Sequence, residues 1–88
     1  MKGSKVTSSL DEQLNSAMLA QIRRRAPSAE LTDFDKPTYD LDMDSLDVVD
    51  LAHALEKEFG VEAVLETVAD CVTVSEIREY FRGLIGPQ

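Results

Sequence analysis

Fourteen residues, Leu46 to Phe59, run without a glycine or proline between Asp44 and Gly60, and that bracket dictates a helix. Asp44 is a strong N-cap, because its carboxylate can accept a hydrogen bond from the free amides of the first turn. Asp47, three residues on, is favoured by the positive end of the helix dipole. Met43 and Val48 stand at the spacing of a hydrophobic staple, and Gly60 supplies the stop. The helix therefore begins with Ser45 at its first position. At about 100° per residue, Val48, Leu51, Ala52, Leu55 and Phe59 fall on one stripe that faces a core. Leu46, Val49 and His53 form a smaller stripe on nearly the opposite side, flanked by Asp50, Glu56 and Lys57. An aligned apolar strip beside a serine at a helix start marks a binding face; its bland counterpart is ordinary contact with a neighbouring loop.

Other segments must cover the main stripe. Residues 1–8 are small and polar and read as a flexible end. Ser9 with Glu12 makes a capping box, after which Leu10, Leu14, Ala17, Met18 and Ile22 recur at helical spacing, predicting a helix over 9–25. Arg23, Arg24 and Arg25 then complement the negative end of its dipole, or offer a basic contact to a partner or phosphate. Residues 26–44 contain Pro27 and Pro37 and form a long loop, which Leu31, Phe34 and Tyr39 are expected to pin over the helices. Between Val61 and Asp70, periodicity does not separate a short helix from a buried extended run. Thr73 and Glu76 form another capping box, with Val72 and Ile77 as the staple. Val74, Ile77 and Phe81, with Leu84 as a fourth candidate, face the core of a last helix that Gly83 or Gly86 ends. The 88 residues suffice for one domain, spanning 9–85, with a single modest core.

Charge narrows the partners. Residues 1–29 hold five basic and two acidic side chains, whereas residues 30–88 hold four basic and fifteen acidic, a balance of +3 against −11. So acidic a surface repels phosphate backbones and anionic membranes and attracts basic partners, which argues against nucleic-acid binding. No signal peptide or membrane-spanning run is visible, so the expected setting is cytoplasmic, without membrane insertion, and the chain is expected to be a monomer. Cys71, the single cysteine, reads as a small core residue.

Catalytic readings fail on the same residues. A nucleophilic Ser45 needs a base within hydrogen-bond reach, yet the single histidine, His53, lies eight residues along the helix, about 12 Å along its axis. Asp40, Asp42 and Asp44 match the first ligands of an EF-hand loop, but Ser45 stands at the turn-glycine position and Leu51 at that of the bidentate glutamate, so no metal site is assigned. Paired acids for glycoside chemistry would need a desolvating cleft that nothing indicates. The chain is expected not to be an enzyme.

Asp44-Ser45-Leu46, followed by an acidic amphipathic helix, a Phe-Gly stop and a Thr-Val helix start, resembles the acyl carrier proteins. The likeness runs without gaps from about Leu41 to Phe81. It implies an all-α, four-helix bundle with three longer helices and one short one near 62–69. It also implies that Ser45 carries a covalent 4'-phosphopantetheine, delivered from coenzyme A by a phosphopantetheinyl transferase (a holo-ACP synthase). The arm's thiol would then hold acyl groups as thioesters. Acyl-transferring and ketosynthase-type enzymes with basic patches would dock on Asp44, Leu46, Asp47, Val49, Asp50, His53 and Glu56. An aspartate before the serine is more similar to acyl than to peptidyl carriers, which often have histidine there; a fatty-acid, lipid or polyketide pathway is expected. Two departures stand out: Asp42 where the family commonly has glycine, and His53 where it commonly has methionine. The alternative is an unmodified acidic adaptor that binds a partner helix through Leu46, Val49 and His53.

Overall fold

The computed structural model describes residues 10–86. Four α-helices follow one another: α1 over Leu10–Ile22, α2 over Ser45–Phe59, α3 over Leu65–Asp70 and α4 over Val74–Ile85. Two 3₁₀ turns, Leu31–Asp35 and Thr38–Leu41, break up the long connection before α2. This is the expected all-α bundle of three longer helices and one short one. The flexible end expected at residues 1–8 and the cap expected at Ser9 lie outside the described residues.

The core forms where the predicted stripes meet. Leu14, Met18 and Ile22 of α1, Val48, Leu51, Ala52 and Leu55 of α2, Val68 of α3, and Val74, Ile77 and Phe81 of α4 are all buried. Fully burying a large apolar side chain contributes about 1.5–3 kcal/mol, so these positions hold the bundle together. Phe59, at the end of the α2 stripe, is only partly buried against them.

Several boundaries differ from expectation. The first helix ends at Ile22 rather than residue 25, because the amides of Arg24 and Arg25 reach back only to the carbonyls of Gln21 and Ile22, three residues earlier, which is turn geometry. Pro27 cannot extend a helix, so the chain leaves its axis before it. Short α3 begins at Leu65, three residues later than 62; Gly83 lies inside α4, and Gly86 caps it.

The connection is pinned by fewer side chains than expected. Phe34, Ala29 and Leu41 are buried, but Leu31 and Tyr39 are 48% and 66% exposed. Phe34 of the first 3₁₀ turn reaches the core beneath Arg78, while Leu31, one turn earlier, stays at the surface. The Arg78 guanidinium lies over the Phe34 ring, 5.6 Å from its centroid, and donates to Asn15 Oδ1 at 2.9 Å. One side chain of α4 thus fastens the connection and α1 together. Val72 is 58% exposed, so the staple before α4 does not close, and Leu84 stays at the rim. The Thr73 and Glu76 capping box is present nonetheless. Glu76 accepts from the Val72 and Thr73 amides, which holds its carboxyl below the usual range. Cys71 is partly buried against the core, and desolvation first, then nearby Glu76 and Asp70, push its thiol up.

Candidate functional site

Ser45 is the first residue of α2 and is exposed. Its position is fixed from both sides. Before it, Asp42 adopts left-handed backbone, φ 58 and ψ 29, closing the second 3₁₀ turn. Aspartate tolerates that region better than most residues, which is how the chain dispenses with a glycine there. After it, Asp44 and Asp47 form a reciprocal capping box: Asp44 Oδ1 accepts from the Asp47 amide at 3.0 Å, and Asp47 Oδ2 accepts from the Asp44 amide at 3.1 Å. The Asp47 amide bond, foremost, holds the Asp44 carboxyl below its ordinary range. Met43 and Val48 are both buried, consistent with the staple. Ser45 is therefore exposed at a helix start that both bonds of the capping box hold.

Ser45 stands apart from the single histidine of the chain. No described residue hydrogen-bonds its hydroxyl, and His53 is exposed farther along α2. No group of three or more His, Cys, Asp or Glu side chains among the described residues is placed to hold a metal ion. The helix N-terminus favours an anion such as a phosphodiester, and Ser45 is exposed there.

Of the expected docking residues, Leu46 is 72% exposed, Asp44, Asp50 and His53 are exposed, and Val49 is partly so. They line one outer face of α2. Asp47 and Glu56 are less available. Asp47 also accepts from Arg25 Nε at 3.1 Å and its side chain is only 15% exposed. Glu56 Oε2 accepts from the Ala63 amide at 2.6 Å, holding the segment that leads into α3. Neither bond is signalled by sequence, since each joins residues of different segments. Among the described residues Asp50 has no such partner. A cleft of about 300 Å³ lies between the end of α1 and the start of α2, lined in part by Arg24, Arg25, Asp47 and Asp50.

The model of the family described as "Phosphopantetheine attachment site" matches residues 13–81. The chain belongs to this family of acyl carrier proteins. It is similar to the acyl carrier protein of Thermobifida fusca (strain YX), at 38% identity over 56 residues, covering 64% of this chain and 71% of that protein. It is also similar to the acyl carrier protein of Trieres chinensis, at 45% identity over 49 residues, covering 56% of this chain and 58% of that one. No solved structure matches it. As an acyl carrier the protein is a carrier and not a catalyst, and its cofactor is covalently attached 4'-phosphopantetheine. Carriers of this family meet a phosphopantetheinyl transferase and biosynthetic enzymes. No helix among the described residues is long and apolar enough to cross a membrane.

Proposed function

We propose that Ser45 is the attachment residue, and that the carrier delivers acyl intermediates to the enzymes of a fatty-acid, lipid or polyketide pathway in the cytoplasm. The observation that carries this reading is an exposed serine at the first position of a doubly capped helix, inside the stretch that matches the attachment family. A serine ester is a poor acyl donor; the arm supplies a thiol, a better nucleophile and leaving group with an ordinary pKa of about 8.5. The chain's own residues do the rest. Asp44 and Asp47 hold the helix start, the α2 amides face the phosphodiester, and the exposed face of Leu46, Val49, Asp50 and His53 receives partners with basic, partly apolar patches. His53 makes that strip less apolar than methionine would, which favours a dedicated partner over general fatty-acid enzymes.

The test is incubation of the folded protein with a phosphopantetheinyl transferase, coenzyme A and Mg²⁺, followed by intact mass. One added phosphopantetheine is expected on the wild type and none on Ser45→Ala, with helical circular dichroism unchanged. A folded wild type that several transferases of broad specificity leave unmodified contradicts the reading.

A further inference from the structure

The acids that border Ser45 are not equally free. Asp44 is engaged by the Asp47 amide, Glu56 by the Ala63 amide, and Asp47 by both the Asp44 amide and the Arg25 guanidinium. Arg25 stands in the turn after α1, in the region whose balance is positive, and reaches across 22 positions of sequence to Asp47. The turn that carries it is itself held, since Arg23 Nε donates to the Ala29 carbonyl at 2.9 Å and Ala29 is buried. Arg25 keeps a 56% exposed side chain while Asp47 keeps 15%. The pair therefore covers the carboxylate and leaves the cation outermost. Two residues from Ser45, where an acidic surface would be offered to a basic partner, this chain presents an arginine.

We propose that Arg25 is a specificity-determining residue that withholds Asp47 from docking partners. A partner whose patch is uniformly basic must displace Arg25 to reach Asp47, and meets a like charge as it approaches. It is left with the exposed Asp44 and Asp50 as its grip on this side of α2. A partner that also places an acid opposite Arg25 exchanges the internal pair for two external ones and is favoured by comparison. Arg25 never touches the reacting hydroxyl in this scheme; it acts through Asp47, so it sets which proteins approach Ser45 and how tightly. The size of the effect follows from the strength of exposed ion pairs, which translates to about a two- to five-fold change in affinity. This proposal rests on Ser45 being the attachment residue.

The experiment measures modification of the carrier by one phosphopantetheinyl transferase with coenzyme A, varying carrier concentration at low ionic strength. Arg25→Ala should lower KM for the carrier about two- to five-fold with little change in kcat. Arg25→Gln, which keeps most of the stem, should shift KM in the same direction if the alanine variant loosens the turn. Arg24→Ala removes the same charge one residue away without touching Asp47, and should change KM much less. In an Asp47→Asn background the Arg25→Ala gain should vanish, which isolates the coupling between the two residues. An unchanged or raised KM in both Arg25 variants overturns the proposal. So does an equal fall for Arg24→Ala, which would reduce the effect to net charge, or a gain that persists without Asp47. Absence of any mass on wild-type carrier would instead remove the assignment of Ser45, so the two failures are distinct.

Discussion

At the scale of single residues, the start of α2 depends on two aspartates performing different tasks. Asp42 carries the one positive φ found at a non-glycine position among the described residues. Left-handed backbone costs an ordinary L-residue about 1–2 kcal/mol, and aspartate somewhat less. Asp42→Ala should therefore lower stability by about 1 kcal/mol in urea unfolding, whereas Asp42→Gly should not; equal losses would show that the side chain, not the backbone, matters there. Asp44 works through its charge and its acceptor. Its folded pKa is depressed, so the stability it contributes is present above the unfolded carboxylate pKa of about 3.9 and is lost as pH falls through that value and below. Urea midpoints of wild type and Asp44→Ala should differ at pH 7 and converge toward pH 3. A gap that stays constant over that range would mean that the carboxylate contributes nothing as an anion. Both residues were legible in the sequence, Asp44 from its spacing to Asp47 and Asp42 from its departure from glycine. Arg25 was not: read along the chain it balances the dipole of α1, and only folding brings it to Asp47.

At the scale of elements, the long helices were legible because each buries a periodic stripe, and α2 and α4 also begin on a recognisable capping box. Short α3 was not legible from periodicity, and the structure gives the reason. Of its six residues only Val68 is buried, and its N-cap, Val64, has no side chain that can cap. Its entry is held from outside instead, by Glu56 on the Ala63 amide and by the Tyr80 hydroxyl, which accepts from the Val64 amide at 2.8 Å. A helix this short is marginal without tertiary support. Tyr80→Phe removes one of the two anchors and should speed amide hydrogen exchange in Leu65–Asp70 several-fold while leaving α2 protection nearly unchanged, because loss of a hydrogen bond of about 1 kcal/mol corresponds to roughly that factor. Equal exchange in wild type and variant would show that core packing by Val68 alone retains α3. The connection between α1 and α2 was half legible for a related reason. Its apolar residues were visible, but which of them reach the core depends on contacts with distant helices, such as Arg78 over the Phe34 ring, so Phe34 and Leu41 are buried while Leu31 and Tyr39 are not.

At the scale of the whole molecule, charge is the dominant feature, and it was legible from the sequence outright. The net charge is −8, and eight acids lie between Glu30 and Asp50 with one lysine among them. That lysine, Lys36, pairs with Asp33 at 3.0 Å, and Arg25 pairs with Asp47. Most of the remaining acids in that stretch are exposed to solvent without a cation beside them, so they repel one another more in the folded domain than in the expanded chain. Added NaCl should raise the melting temperature, since the Debye length contracts from about 30 Å at 0.01 M to about 10 Å at 0.1 M. Mg²⁺ should act at lower concentration through its double charge. A melting temperature indifferent to ionic strength would show that the acids are already compensated. The same acidic surface surrounds the exposed strip of Leu46 and Val49 beside Ser45. The Ser45 hydroxyl is the group on which the proposed carrier function depends. It is tested most directly by locating the added mass: after treatment with a phosphopantetheinyl transferase, coenzyme A and Mg²⁺, the protein is digested and its peptides fragmented. The account predicts one phosphopantetheine, on Ser45, in the wild type and none anywhere in Ser45→Ala; a group found on another residue, or retained by Ser45→Ala, contradicts it.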